Sequence, residues 1–417
     1  GRILFYESLH GLIDLSFSWL TYLVFMISYI LFKKEKYLLL FLVAYLITSI
    51  TWMMKGLPSL VFLAITLLVL FIQHKRFRML FNWMHFAGIA IFLALVGGYY
   101  LLYFSMNDIS PKEMFTTLLG QTTRRTVVRF GWLVTLQHLF TFPFDILYHF
   151  LPWTLLTLVL FVKGSIKKIW ARPFLRYNIL LLALNIIPYW TSPEVHPRYI
   201  LMLMPLYFTP LTWTYFETRD GNNLLHRITE YIYGGLLVLA CLAPFGALFH
   251  DMTRGLDHLI IIAILLSLVL AIVCVFYWME TRMRLFWLAI ALLVVRIGFD
   301  FIVLPTRQMD SREVVSKQSA IELAEKTRGK ALYSYWNPDF EPSFYYMKNF
   351  IAFRYHFHLA AARDEIVYNI SERIPGALYF SSPDHFDTSE VIVIDTVIQH
   401  LDDTSPLPLF TFLPSHH

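Results

Sequence analysis

The sequence predicts a polytopic α-helical membrane protein that carries a small α/β domain in its C-terminal part. Of the 417 residues, 57% are hydrophobic and 15% are charged, whereas ordinary soluble domains contain roughly 25% charged residues. Apolar stretches close to the ~20 residues that cross a bilayer recur up to about residue 304. Beyond that point the composition becomes polar and mixed. We therefore expect a membrane domain over 1–304 and a second domain over 305–417.

About ten membrane spans are expected from the apolar runs. Several of these runs are short for a span, so their predicted boundaries are soft. The predicted spans are 12–32, 37–54, 57–72, 86–104, 150–162, 178–190, 199–216, 231–250, 259–278 and 285–304.

Lys and Arg residues predict the orientation of these spans. They are concentrated in every second connection, at 33–36, 74–78, 163–176, 217–227 and 279–284. The positive-inside rule assigns these connections to the cytoplasm and the other connections, with the tail, to the outside. An even number of spans with both ends outside requires further helices upstream, if the natural N-terminus is cytoplasmic. Since the chain begins with Gly1 rather than Met, we expect the natural N-terminus to lie upstream.

Two segments on the predicted outer side are more than simple connections. Residues 105–149 are long for a loop and include an aromatic, apolar stretch, which predicts an amphipathic segment lying in the membrane interface. In the tail, residues 311–329 have helical spacing, and three β-rich runs bounded by Pro, Asp and Ser predict strands. The runs are "KALYSYW", "GALYFSS" and "EVIVIDTVI".

Several cations lie on the side that the positive-inside rule should keep poor in them. They include Lys55, Arg124, Arg125 and Arg198. Each one alone is best explained as a snorkelling anchor at a helix end. Together they favour an anionic ligand on the outer side, and Arg suits phosphate oxygens because it can bind them in a bidentate way.

Acidic residues accompany these cations near the first span. An intramembrane carboxylate costs about 2.5–3.5 kcal/mol on insertion scales, so Asp14 is a candidate functional residue, and Glu7 lies just before it. The alternative for Asp14 is a structural partner for a nearby cation. Arg296 and Asp300, spaced i,i+4 in the last span, are predicted to form an internally satisfied ion pair. No metal site, cofactor or nucleic-acid partner is predicted.

Five motifs occur in an order that resembles a known family. They are "GRILFYESLHGLIDLSFSW" at the start, "MKGLP" at 54–58, "LPW" at 151–153, "PRYILMLMPLYF" at 197–208 and "SAIELAEKTRGKALYSYWNPDFEPSFYYM" from 319. The chain resembles the GT-C fold glycosyltransferases that use polyprenyl-phosphate sugars. The most similar branch contains the aminoarabinose transferase of lipid A and the protein O-mannosyltransferases.

The resemblance implies an inverting transfer of a sugar, by single displacement, from a polyprenyl-phosphate donor to a lipid, protein or glycan acceptor. The reaction would take place on the extracytoplasmic face of a multi-pass inner-membrane protein. An acidic general base in the first outer loop is expected upstream of Gly1, which leaves supporting roles for Glu7 and Asp14. Donor-phosphate binding is expected from Lys55, Arg198 and Tyr199, and also from Arg124 and Arg125.

Other functions remain open from the sequence alone. Intramembrane charges also mark transporters or flippases of lipid-linked or anionic substrates, although no internal repeat is evident and a folded outer domain fits an enzyme better. A polysaccharide ligase or polymerase would share the lipid-phosphate donor. A non-catalytic scaffold would not explain why cations gather on one face.

Overall fold

The computed structural model describes most of the predicted membrane domain and parts of the tail. The described residues are 13–106, 127–193, 195–219, 223–309, 321–322, 324–327, 330, 332–335, 366–370, 374, 376–380, 387–397 and 407–412.

Helices dominate the described part of the chain. The α-helices are α1 Ile13–Lys33, α2 Tyr37–Lys55, α3 Leu57–Gln73, α4 Trp83–Met106, α5 Val127–His149, α6 Ser165–Ala171, α7 Pro173–Trp190, α8 Met204–Thr218, α9 Leu224–Gly246, α10 Leu259–Met279, α11 Arg284–Gly298 and α12 Leu304–Met309. Shorter elements include the 3₁₀ helices Phe77–Phe81, Trp153–Phe161, Pro197–Leu203, Ala247–Phe249, Asp251–Thr253, Thr281–Met283 and Thr388–Glu390, and a π-helix at Phe299–Val303.

Every predicted span overlaps one of these helical elements, but fewer of them satisfy the requirements of a span. Among the described residues, six helices are long and apolar enough to cross a membrane. A seventh is obtained if Gly131–His149 and Trp153–Phe161, which are bent by 115°, form one span. The chain is therefore a polytopic membrane protein, with a smaller number of clear spans than the ten expected.

The difference is largest at the span predicted over 150–162. There the structure has a 3₁₀ helix of nine residues, Trp153–Phe161. At about 2.0 Å per residue, this element is too short to cross the ~30 Å of a bilayer core by itself. In the predicted interfacial segment, residues 107–126 lie outside the described residues. The part that follows is helix α5, which has many exposed apolar side chains such as Trp132 and Phe144.

The connections predicted to be cytoplasmic lie together at one end of the helices, which we call the inner end. Four contacts join each of these connections, or the residue just before it, to the next connection along the chain. They are Arg76 Nη2 to Glu35 Oε1 at 2.9 Å, Gln73 Nε2 to the Pro173 carbonyl at 2.9 Å, Lys168 Nζ to Glu217 Oε1 at 3.5 Å, and Arg219 Nη1 to the Arg282 carbonyl at 3.2 Å. The opposite end, which begins α1 and ends α2, is called the outer end.

Buried aromatic rings hold the first helices together. Phe25 and Phe41 are fully buried, and the ring of Phe41 stacks on Phe71 with a centroid distance of 5.6 Å. The Tyr177 hydroxyl of α7 donates a hydrogen bond of 2.8 Å to the Phe25 carbonyl of α1. Because lipid tails are as apolar as these side chains, such close packing and interhelical hydrogen bonds provide the stability.

The chain divides into two compact units. The first contains residues 1–239 and 273–292, and the second contains 240–272 and 293–417. In the second unit, Arg296 Nε lies 3.1 Å from Asp300 Oδ1, so the predicted i,i+4 ion pair is confirmed. The division at residues 304 and 305 remains a prediction from composition.

The tail contains a five-stranded sheet. Its strands are β1 Leu332–Tyr335, β2 Ile366–Ile370, β3 Leu378–Phe380, β4 Val391–Val397 and β5 Leu407–Phe412, in the order β2-β1-β3-β5-β4. β1 is parallel to β2 and β3, whereas β5 is antiparallel to β3 and β4. The three predicted runs form β1, β3 and β4. Sequence analysis missed β2 and β5, and Pro408 in β5 is a residue that argues against an internal strand.

A glycine allows two of the helices to pack closely. A Cβ atom at Gly88 of α4 would lie 2.5 Å from Cδ2 of Tyr45 and 3.0 Å from the carbonyl oxygen of Phe41, both in α2. The second of these atoms belongs to the backbone, which cannot move away by changing a rotamer. Only glycine therefore fits at this contact.

We predict that Gly88→Ala destabilises the protein by about 1–3 kcal/mol, the usual cost of overpacking. The measurement is the midpoint of thermal unfolding in detergent. The matched control is Gly97→Ala in the same helix, where an added Cβ meets nothing within 4 Å. An equal midpoint for the two variants would contradict the close α2–α4 contact.

Candidate functional site

Three charged side chains meet at the outer end. Asp14 lies in the first turn of α1, Lys55 is the last residue of α2, and Arg198 lies near the start of the 3₁₀ helix Pro197–Leu203. Lys55 Nζ forms a salt bridge with Asp14 Oδ1, and Arg198 Nε lies 3.3 Å from Asp14 Oδ2. One carboxylate therefore holds two cations, one on each of its oxygens. We call Asp14, Lys55 and Arg198 the outer cluster.

The turn between α2 and α3 determines where Lys55 points. Gly56 has φ 69° and ψ −133°, a backbone conformation that is accessible to glycine but strained for other residues. Its N–H donates to the Trp52 carbonyl and closes α2, while Pro58 stands in the first turn of α3. A proline is tolerated there because the first N–H groups of a helix have no partner within it. The "KGLP" sequence thus ends one helix at Lys55 and starts the next immediately.

Local structure also places the other two charges. Asp14 near the start of α1 and Lys55 at the end of α2 each have the sign that the helix dipole favours at that position. Pro197 begins the 3₁₀ helix that carries Arg198, and the Tyr199 N–H donates to the His196 carbonyl at 2.9 Å. The residues that follow, up to Leu203, are buried. Arg198 is therefore anchored by the apolar segment behind it.

Aromatic rings surround the two cations. Lys55 Nζ lies 4.9 Å from the ring centroids of both Phe17 and Tyr199. The Arg198 guanidinium carbon lies 5.3 Å from the Tyr199 ring. Cations this close to aromatic faces gain about 0.5–2 kcal/mol, more when they are desolvated. The rings also keep water away and orient the two side chains.

The outer cluster is mostly buried. The side chains of Asp14 and Arg198 are each 11% exposed, and that of Lys55 is 22% exposed. Among the described side chains, two cations contact one carboxylate in a region that is poor in water. Buried cations are expensive to maintain, and they attract anions strongly. The arrangement is suited to binding a singly or doubly charged oxyanion such as a phosphate.

Aromatic contacts connect the outer cluster to α5. The Phe17 ring lies 6.2 Å from Phe62, which in turn stacks on Tyr189 at 6.3 Å. The Tyr189 carbonyl lies 3.3 Å from His138 Nε2 of α5, and Trp190 Nε1 donates to the Leu139 carbonyl at 2.8 Å. The described part of the segment predicted to lie in the membrane interface thus packs on the outer end of α7, one layer of rings away from the cluster.

The structure brings together four of the residues predicted from sequence, namely Asp14, Lys55, Arg198 and Tyr199. Glu7, Arg124 and Arg125 lie outside the described residues. Sequence analysis missed Phe17, since a phenylalanine in an apolar helix gives no signal of a cation above it. Within the described ranges, no group of three or more His, Cys, Asp or Glu residues could hold a metal ion.

No protein-family model matches the chain, and no curated protein sequence matches it. The chain is similar in structure to ArnT from Cupriavidus metallidurans, which was solved bound to undecaprenyl phosphate. The TM-score is 0.54 at 14% sequence identity, and the match covers 95% of this chain and 74% of ArnT. This likeness confirms the GT-C-like fold that the sequence motifs predicted.

We predict that Asp14→Asn lowers the free energy of unfolding by about 3 kcal/mol, because it removes a buried carboxylate that contacts two cations. The midpoint of thermal unfolding in detergent reports the loss. Asp300→Asn is the control, since the Asp300 side chain is 40% exposed and its ion pair is expected to contribute about 1 kcal/mol or less. If Asp14→Asn costs no more than Asp300→Asn, the carboxylate does not hold the cations.

Proposed function

We propose that the chain is a membrane glycosyltransferase that moves a sugar from a polyprenyl-phosphate donor to an acceptor on the extracytoplasmic face. The observation that carries this proposal is the outer cluster, in which Lys55 and Arg198 meet on the two oxygens of Asp14 and lie against the Tyr199 ring. The fold similarity to ArnT, a protein solved with undecaprenyl phosphate bound, supports a lipid phosphate as the anion. The domain predicted over 305–417 is proposed to be extracytoplasmic.

Lys55 and Arg198 are proposed to bind the donor phosphate. Arg can approach two phosphate oxygens at once, whereas Lys acts as a point charge that reaches a third. Tyr199, between the two cations, would limit their movement and offer its ring to the first isoprene units. The polyprenyl tail would remain in the bilayer beside the apolar helices.

Catalysis follows from charge development on the donor. In an inverting displacement the acceptor hydroxyl oxygen attacks the anomeric carbon while the bond from that carbon to the phosphate oxygen breaks. The electron pair stays on the departing polyprenyl phosphate, which gains negative charge in the transition state. Lys55 and Arg198 would stabilise this charge with no reorganisation, since Asp14 already holds them in position.

The proton of the acceptor hydroxyl must go to a general base. Both oxygens of Asp14 are engaged by cations, so we assign Asp14 a positioning role. Glu7 remains a candidate for a supporting role. The proposed acceptor is a hydroxyl of a lipid, protein or glycan on the extracytoplasmic face of a bacterial inner membrane.

We predict that Lys55→Met and Arg198→Gln each lower the rate of transfer from a polyprenyl-phosphate sugar by about 10–100-fold. This range corresponds to the 1.5–3 kcal/mol of one charge-assisted hydrogen bond. Arg198→Lys should recover part of the loss, because it keeps the charge but not the bidentate geometry. Proteoliposomes with a radiolabelled donor and a mixed envelope extract as acceptor provide the measurement.

Lys168→Met is the matched control, since Lys168 is 53% exposed at the inner end and should leave transfer unchanged. Binding of undecaprenyl phosphate to each variant separates recognition from chemistry. Transfer at the wild-type rate in both outer-cluster variants would remove the site assignment. Movement of the donor between leaflets without transfer would instead identify a flippase.

A further inference from the structure

A second charged site lies at the inner end, opposite the outer cluster. A cavity of about 500 Å³ is formed by the end of α8, the start of α9 and the connection between α10 and α11. Its lining includes four arginines, Arg219, Arg227, Arg282 and Arg284, and a single carboxylate, that of Glu230. We call this space the inner cavity.

The one carboxylate is already fully engaged. Arg284 Nη1 forms a salt bridge with Glu230 Oε2, and the Tyr215 hydroxyl donates to Glu230 Oε1 at 2.8 Å. His226 Nε2 lies 3.3 Å from the same oxygen, and the Tyr277 hydroxyl donates to the Glu230 backbone carbonyl at 2.7 Å. Glu230 and His226 are 8% and 3% exposed. The buried network therefore fixes Arg284 and leaves no carboxylate oxygen for the other arginines.

The remaining arginines give the inner cavity its charge. Arg227 and Arg282 are exposed. Arg219 donates one hydrogen bond of 3.2 Å to the Arg282 carbonyl. Four guanidinium groups and one carboxylate amount to a net charge of +3 in the described lining, in which His226 is not counted. The neighbouring Asp220 lies outside the described residues, and including it would still leave +2.

Apolar surface stands beside this charge. Phe216, which lines the inner cavity, is 50% exposed, and Trp278 lies 5.7 Å from the Arg284 guanidinium carbon and is 38% exposed. The volume is in the range of sites that accept small ligands or headgroups. Basic pockets between membrane helices on the cytoplasmic side bind phosphate-bearing lipid headgroups.

We propose that the inner cavity is a specific binding site for a phosphate-bearing anion. Arg227 and Arg282 are its accessible ligands, whereas Arg219 and Arg284 are held in place by contacts within the protein. An anionic phospholipid headgroup and a soluble phosphate share this chemistry. The site is separate from the outer cluster and does not depend on the proposed transfer activity. It would bind on the opposite side of the membrane from the donor.

The test measures binding to the full chain purified in neutral detergent. Native mass spectrometry follows titration with phosphatidylglycerol, with phosphatidylcholine as the zwitterionic comparison, and calorimetry follows titration with inorganic phosphate. The test variant is Arg227→Gln/Arg282→Gln. The control is Lys34→Gln/Arg78→Gln, which removes the same charge from exposed positions in two other connections of the inner end.

We expect one tightly held phosphatidylglycerol per chain, at least tenfold weaker binding in the test variant, and less than a twofold change in the control. Inorganic phosphate that binds alone, with the same dependence on the two arginines, would also support the site and identify a soluble anion as its source. The proposal is overturned if both double variants weaken binding equally, if neither does, or if phosphatidylcholine binds as tightly as phosphatidylglycerol.

Discussion

The outer end of the helical bundle depends on a carboxylate that is shared by two cations. Two unit charges of the same sign 4 Å apart repel by about 4 kcal/mol at an effective dielectric constant near 20, and the Asp14 carboxylate, which contacts both Lys55 and Arg198, offsets repulsion of this kind. The same three side chains that stabilise the outer end are the ones proposed to attract the donor phosphate.

The helical frame makes this arrangement possible. α1 and α2 run in opposite directions, which brings the start of one next to the end of the other. Gly56 turns the chain sharply enough that α2 can end at Lys55 while α3 starts two residues later. Close packing at Gly88 and the buried rings of Phe25 and Phe41 hold the helices in register. Small errors in this packing would separate Asp14 from its two cations.

The two ends of the first unit share one arrangement of charged side chains. At each end a buried carboxylate fixes an arginine among aromatic rings, through Asp14 with Arg198 and through Glu230 with Arg284. At the outer end the described charges are mostly buried, which fits the proposed binding of one lipid phosphate. At the inner end the described lining has a net charge of +3 and two exposed arginines, which fits the proposed binding of a headgroup or a soluble phosphate. Different ligands at the two ends would allow each to be tested separately.

The sequence by itself predicted the membrane class, the positions of most helical elements and the three residues of the outer cluster together with Tyr199, because burial in lipid leaves a strong record in composition and makes every misplaced charge conspicuous. It also predicted Arg296 with Asp300, since an i,i+4 pair follows from helix geometry alone. Only the tertiary structure decided that Asp14 meets cations 41 and 184 residues away and that Glu230 meets Arg284. Such partners are chosen by which helices pack together, and helix packing depends on the fit of surfaces that no local pattern encodes.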